Sequence, residues 1–317
     1  MRIKNLKNIK DLLIIIYLLS LSTSCQESKR SNFTLLSEQI PTDTTLTFGK
    51  GIISTEHSHE SSITFNSDMT KLFFTRRKPK EKNKIYTMKL IDGKWSKPKL
   101  ASFSLNKEYS DYRPRLNPNG DLLYFSSTRP LKVAIEPSGS HQWYIKKNES
   151  GWGKPIPLEE PFVDKSIIDL TSSENGNLYF TSNKKDAKPQ DEGIYYSINQ
   201  EGQYTTIERM GKEINSPDNW TCCPYIAPDE SYIIFDSPRT SGFGDADLYI
   251  SFNKNGNWTK SYNLGAKVNT KYGEGLATVS PDGKFLFFYR SEVNNGDIYW
   301  IDFIQLKKEI LENINSN

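Results

Sequence analysis

Apolar residues along this chain arrive in short bursts, each announced by a polar turn, and the bursts recur at a nearly fixed distance. The clearest reads SPDGKFLFF and ends at Phe288. Related stretches read NSDMTKLFF from Asn66, NPNGDLLYF from Asn117, SSENGNLYF from Ser172 and APDESYIIF from Ala227. Their closing aromatics, Phe74, Phe125, Phe180, Phe235 and Phe288, stand 51, 55, 55 and 53 residues apart. A period in this range marks a repeat architecture. Each copy is a turn of Pro, Asn, Asp and Gly types running into a β-favouring segment.

Further strands flank each copy. One enters the turn, as in ESSITFNS from Glu60 and EGLATVSP from Glu274. Another follows a variable loop and carries an apolar residue beside a tyrosine: Ile85-Tyr86, Trp143-Tyr144, Ile194-Tyr195, Leu248-Tyr249 and Ile298-Tyr299. In four repeats an aromatic comes eight or nine residues after that tyrosine (Trp95, Trp152, Tyr204 and Trp258) and opens a fourth strand. Four antiparallel strands in about 53 residues make a propeller blade. The expected fold is therefore all-β, a five-bladed β-propeller of four-stranded blades. A sixth blade would have to fit within residues 26–55, which are too few.

The last repeat lacks its fourth strand and runs after DIYWID into FIQLKKEILENINSN, which reads as a short amphipathic helical tail over 303–317. A lone strand in LTFGKGIIST, residues 46–55, stands at the other end of the propeller region. It is expected to supply the missing strand, closing the ring and leaving no open sheet edge. The propeller thus spans 46–302.

Residues 1–24 read as a signal peptide. Arg2, Lys4, Lys7 and Lys10 precede an apolar run, LLIIIYLLSL, that is short for a bilayer span. The run ends in STSC, which resembles a bacterial lipoprotein signal with Cys25 as the lipidated first residue, although Ser22 stands where Leu is usual. Residues 25–45 read as a flexible tether. Removing 1–24 takes four of the 41 Lys and Arg and one of the 38 Asp and Glu, leaving 37 of each. A neutral body gives no electrostatic case for nucleic acid.

The turn-and-strand pattern resembles the WD40-like repeat of TolB-type propellers, and the N-terminal strand with the DIYW ending is similar to propeller lipoproteins of Bacteroidota-like bacteria. TolB itself carries a separate N-terminal domain and six blades, so its particular partners do not carry over. The resemblance implies a protein-binding or scaffold module in the cell envelope, an outer-membrane lipoprotein facing periplasm or surface. Its partner would be an envelope protein or a cell-surface glycan, and the membrane would be met through the N-terminal lipid only.

Three carboxylates, Glu60, Asp111 and Glu274, fall at one repeat position, with Ser166 and Thr221 in the other two repeats. At the start of innermost strands they would ring one mouth of the central channel. They support an alternative reading as a glycan-active, glycoside hydrolase-like enzyme, or else a structural cation site at that mouth. The plain reading is a polar, water-filled mouth with ion pairs to neighbouring Arg113 or Arg115. Arg76, Arg129, Arg239 and Arg290 follow the closing aromatics by two or four residues, either as a rim for acidic groups or, paired with aspartates such as Asp245, Asp247 and Asp297 before the tyrosine strands, as staples of each blade's inner loop. No cofactor is expected: the chain has no glycine-rich phosphate loop, G-x-S-x-G elbow or H-E-x-x-H. His57 and His59 alternate in an extended segment, but without a matching cluster elsewhere they name no metal site.

The longest irregular loop, residues 127–144, departs most from the repeat, so Arg129, His141 and Trp143 are binding candidates. Trp220 is a fourth, beside Cys222 and Cys223. Neighbouring Cα atoms lie about 3.8 Å apart, below the usual disulfide range. The adjacent cysteines are therefore either two buried thiols or a strained vicinal disulfide shaping a ligand site.

Overall fold

The computed structural model describes residues 36–37, 39–131, 139–149, 151–163, 165–182, 192–292 and 295–316; Cys25 and the signal segment lie outside them. The chain divides into two compact units, Met1–Ile40 and Pro41–Asn317, and the second is a five-bladed β-propeller.

The innermost strands are His59–Phe65, Asp111–Leu116, Ile167–Ser172, Cys222–Ile226 and Gly273–Val279, each touching the next and the fifth touching the first. Outward from each come an aromatic-ending strand (Lys71–Arg77, Leu122–Ser127, Leu178–Ser182, Tyr232–Ser237, Phe285–Ser291) and a tyrosine strand (Lys84–Ile91, His141–Asn148, Gly193–Ser197, Asp247–Lys254, Gly296–Asp302). The outer edge is short. In the first, second and fourth blades it is split into two two-residue pieces, as with Lys94–Trp95 and Lys99–Leu100. In the third blade Tyr204 opens no strand, and the edge is Glu208–Arg209.

The fifth blade is closed by the N-terminal strand, with Leu46 opposite Trp300 and Thr47 opposite Tyr299. This strand covers only Leu46–Thr47, shorter than residues 46–55 suggest. Gly49 and Gly51 take positive φ, +58° and +78°, and the amides of Ile52 and Ile53 turn back to the Gly49 carbonyl. Phe48 is fully buried against Phe65, Phe287 and Trp300, sealing the junction of first and last blades.

The five closing phenylalanines are at most 1% exposed. Full burial of such a side chain contributes about 1.5–3 kcal/mol, so the repeat's apolar bursts become its core. The polar turn before each follows one plan. Its fourth or fifth residue, Met69, Gly120, Gly176, Glu230 or Gly283, sits at positive φ, which explains the glycine in the sharper copies. The tail is the helix Phe303–Ser316, whose Phe303, Leu306 and Ile310 are buried in the core of the fourth and fifth blades.

Candidate functional site

Glu60, Asp111 and Glu274 do lie at the starts of innermost strands, but their side chains turn into the blades. All three are at most 1% exposed. Each meets the arginine of its own blade: Arg76 Nε to Glu60 at 2.6 Å, Arg129 Nη2 to Asp111 at 2.8 Å, Arg290 Nε to Glu274 at 2.8 Å. A loop hydroxyl donates to each as well, from Thr55, Ser104 and Thr270. The same arginines donate to carbonyls of the preceding loop, at Ile53, Phe103 and Val268. Their guanidinium groups stack over the blade's aromatics, with Arg290 Cζ 4.3 Å from the Tyr299 ring. The arrangement is a repeated staple: one arginine fixes the loop, the inner strand and the aromatic core together. These carboxylates are committed to the staples, and Glu274 also borders the cavity at the channel mouth.

The other sequence candidates separate. Arg129 is buried under its staple, donating also to Ser127 Oγ. Trp143 is buried in the core between the first and second blades, and His141 is buried at the start of its strand. Burial takes all three out of a partner's reach. Of the adjoining loop, residues 132–138 lie outside the described residues. His57 and His59 line a separate cavity with Glu56, Arg77 and Glu81. Trp220 alone of the binding candidates stands at the channel mouth.

There it borders a cavity of about 450 Å³, lined also by Arg113, Cys222, Cys223, Asp236, Leu276 and Tyr289. The innermost strands build this wall through a shared irregularity. Each slips register near its third residue, and the slipped residues Ser62, Arg113, Cys223 and Leu276 have φ of +48° to +56°. Such bulges re-aim side chains where a strand meets a site. In the first four blades the residue after the closing aromatic clamps the bulge of the next blade. Thr75 accepts from the Arg113 amide, Ser126 donates to the Ile168 carbonyl, and Thr181 accepts from the Cys223 amide. In the fourth blade the clamp is Asp236, whose Oδ1 lies 3.4 Å from the Leu276 amide.

Asp236 therefore places a carboxyl where the neighbouring blades have hydroxyls. Burial pushes it up to about 8, against the pull of Arg113. Cys222 and Cys223 are free thiols with Sγ atoms 2.8 Å apart. The contact with Cys223 favours the Cys222 thiolate, yet burial and Asp236 outweigh it and raise this thiol; the contact with Cys222 and burial raise Cys223 further. Arg113 donates to the Ile168 carbonyl at 3.2 Å, and among the described residues it makes no ion pair with a carboxylate. Deeper in the channel, Arg115 bonds Asp169 through Nη2 at 2.9 Å and also the Ala277 carbonyl and Thr278 hydroxyl. One guanidinium thus ties the second, third and fifth blades together inside the channel.

Sequence reasoning missed Asp236 and this Arg115 crossing, and it expected Arg113 or Arg115 beside carboxylates that pair instead with the arginines of their own blades. The signal for Asp236 is in the period, because positions 75, 126, 181 and 236 read Thr, Ser, Thr and Asp. Arg115 leaves no such signal, since its partners come from blades distant in sequence.

No protein-family model matches the sequence, and no curated protein matches it. Among solved structures, the chain is similar to TolB from Acinetobacter baumannii (14% identity, TM-score 0.49, covering 78% of this chain and 53% of that one). It therefore spans about half the length of that protein. A protein described as TolB from Agrobacterium tumefaciens is similar at 15% identity and a TM-score of 0.49, with 77% of each chain covered. The GH43 endo-arabinanase from Bacillus licheniformis is similar at 13% identity and a TM-score of 0.48, covering 78% of this chain and 94% of that one. These likenesses are of propeller fold alone.

Proposed function

We propose that this chain is an envelope-tethered binding propeller, held to a membrane through lipidated Cys25 and taking a segment of a partner protein at the channel mouth. The observation that carries the reading is the contrast between two sets of side chains. The inner-strand carboxylates are each neutralised by an arginine of their own blade. The mouth instead opens a cavity walled by Trp220, Leu276 and Tyr289, with the Arg113 guanidinium beside them. Apolar and aromatic walls with a few polar groups suit recognition of a side chain or a short segment. A glycosidase needs two carboxyl groups across its cleft, one free to protonate and one to attack or activate water. Ion pairing with arginine leaves Glu60, Asp111 and Glu274 poorly suited to either task.

The test is site-specific photo-crosslinking in cells, with the photoreactive residue at Trp220 or, on the turn face, at Asn119. The binding reading expects one reproducible protein adduct from position 220, none from position 119, and loss of the adduct in an Arg113→Glu background. Equal adducts from both positions would sink it. Release of reducing sugar from envelope glycans, abolished by Glu274→Gln in a folded variant, would establish the enzyme instead.

A further inference from the structure

We propose that Cys222, Cys223 and Asp236 form a binding site for a thiophilic divalent cation of the zinc class at the channel mouth. Their ligand atoms, two Sγ and a carboxylate oxygen, all lie within 4.8 Å of one another, and all three residues are buried. Two thiolates and one carboxylate are an ordinary donor set for zinc, with a fourth position left to water or a ligand. That fourth position faces the cavity beside Trp220.

Three features distinguish this cluster from incidental neighbours. First, the fourth blade departs from the repeat at these positions together. Its staple position carries Thr221 where three blades have Glu60, Asp111 or Glu274 and the third blade has Ser166, and its clamp position carries the carboxyl Asp236. Arg239, the fourth blade's arginine, has no carboxylate partner among the described residues and reaches only the Ile214 carbonyl. Second, the backbone that presents the sulfurs is already fixed. The Cys223 amide is held by Thr181 Oγ1 at 2.7 Å, with Cys223 at φ +55°. Third, the lining attracts a cation. With the three donors ionised and Glu192 also on the cavity wall, the Arg113 guanidinium leaves the lining net negative.

Binding is coupled to proton release, because cysteine ligates as the thiolate. Each M–S bond forms as the thiol's proton passes to solvent. With Zn–S near 2.3 Å, two sulfurs around a tetrahedral ion stand about 3.8 Å apart, so the pair opens by about 1 Å as it binds. Side-chain rotation in the two cysteines supplies that movement. The ion site stands on these three residues whether or not a protein partner docks at the mouth.

The experiment titrates Cd²⁺ into the reduced full chain and follows the ultraviolet thiolate-to-cadmium charge-transfer band, with Zn²⁺ as competitor. One ion per chain, displaced by Zn²⁺ with proton release into weakly buffered solution, is the expected result. Cys222→Ser and Cys223→Ser each diminish the band. Asp236→Asn keeps the band but weakens binding about tenfold or more, the order lost even when an outer partner is removed from a metal site. A Zn²⁺-dependent rise in melting temperature, present in the natural chain and reduced in Asp236→Asn, confirms that folded protein is being read. Absence of a band in a chain whose Cys222 and Cys223 thiols titrate overturns the proposal, as does unchanged affinity in folded Asp236→Asn. A chain purified without reductant that lacks titratable thiols and resists reduction while folded would also overturn it, by making the pair a vicinal disulfide.

Discussion

Arg129 Nη2 lies 2.8 Å from Asp111 Oδ1, joining the loop after one strand to the start of the strand beside it. Asp111 is fully buried and also accepts from Ser104 and Ser127, so its charge is held by three donors and no water is required. Removing one partner of a buried ion pair strands the other charge and costs about 3–5 kcal/mol. Arg129→Met is expected to destabilise by that amount in urea unfolding. A loss below about 1 kcal/mol would mean that water replaces the guanidinium.

The corresponding arginine of the fourth blade makes a control. Arg239 stacks on Phe235 and Tyr249 and bonds the Ile214 carbonyl, but its Nε finds no acceptor among the described residues. Arg239→Met strands no carboxylate. It is expected to cost about 1–2 kcal/mol, from one charged hydrogen bond and the ring contacts, well below Arg129→Met. Equal losses in the two variants would show that the stacking, not the ion pair, carries the staple.

The sequence made the blades legible because each is a local object: a turn, an aromatic and a tyrosine strand recur at one spacing, and periodicity reports local burial directly. It also placed Glu60, Asp111 and Glu274 at one repeat position and Arg76, Arg129 and Arg290 at another, without joining the two sets that the structure pairs. It did not show which way those carboxylates point, since a residue at the start of an innermost strand has the channel on one side and its own blade on the other. The mouth was less legible still. Arg113, Cys223 and Leu276 are re-aimed by bulges, and a bulge breaks the two-residue alternation on which any facing argument rests. Arg115 and Asp169 meet only because the ring brings the second and third blades side by side.

Asp297 predicts a pH dependence. Burial, then the nearby charges of Glu60 and Glu292, push its carboxyl up to about 6 from an ordinary 3.8. Arg290 sits opposite in register but commits its Nε to Glu274. Because the folded chain holds this proton more tightly than the unfolded one, the Asp297 contribution to stability falls as pH rises from about 4 to about 6. Asp297→Asn cannot lose that proton. The difference in unfolding free energy between the variant and the natural chain is expected to grow in the variant's favour across this window and then level off. A flat difference from pH 4 to 7 would place the carboxyl in water.

Met69 holds φ +54° in the turn where the sharper repeats have glycine. A left-handed residue with a side chain carries a penalty of about 1–2 kcal/mol, part of which glycine returns through its greater freedom when unfolded. Met69→Gly is therefore expected to stabilise the chain by up to about 1 kcal/mol, seen as a higher urea midpoint at unchanged slope. Destabilisation would mean that the partly buried methionine packs more tightly than its turn strain costs.

Closure of the ring rests on a short ladder, Leu46 and Thr47, extended by the Phe48 amide donating to the Ile298 carbonyl and by Ser54 Oγ on the Ile298 backbone. Its apolar anchor is Phe48, which is fully buried with its ring centroid 4.9 Å from Phe287 and 5.2 Å from Trp300. Phe48→Ala removes that anchor and is expected to cost about 3–5 kcal/mol. The loss should be local before it is global. Freed of the segment that covers it, Gly296–Asp302 becomes a sheet edge, and its outward amides, Ile298 bonded to Ser54 Oγ and Trp300 opposite Leu46, should exchange with solvent faster than those paired with Phe285–Ser291. Faster exchange confined to this strand would identify the aromatic seal as the clasp of the ring. Uniform acceleration through all five blades would instead mean that the propeller opens only as a whole, with the seal no weaker than any junction between blades.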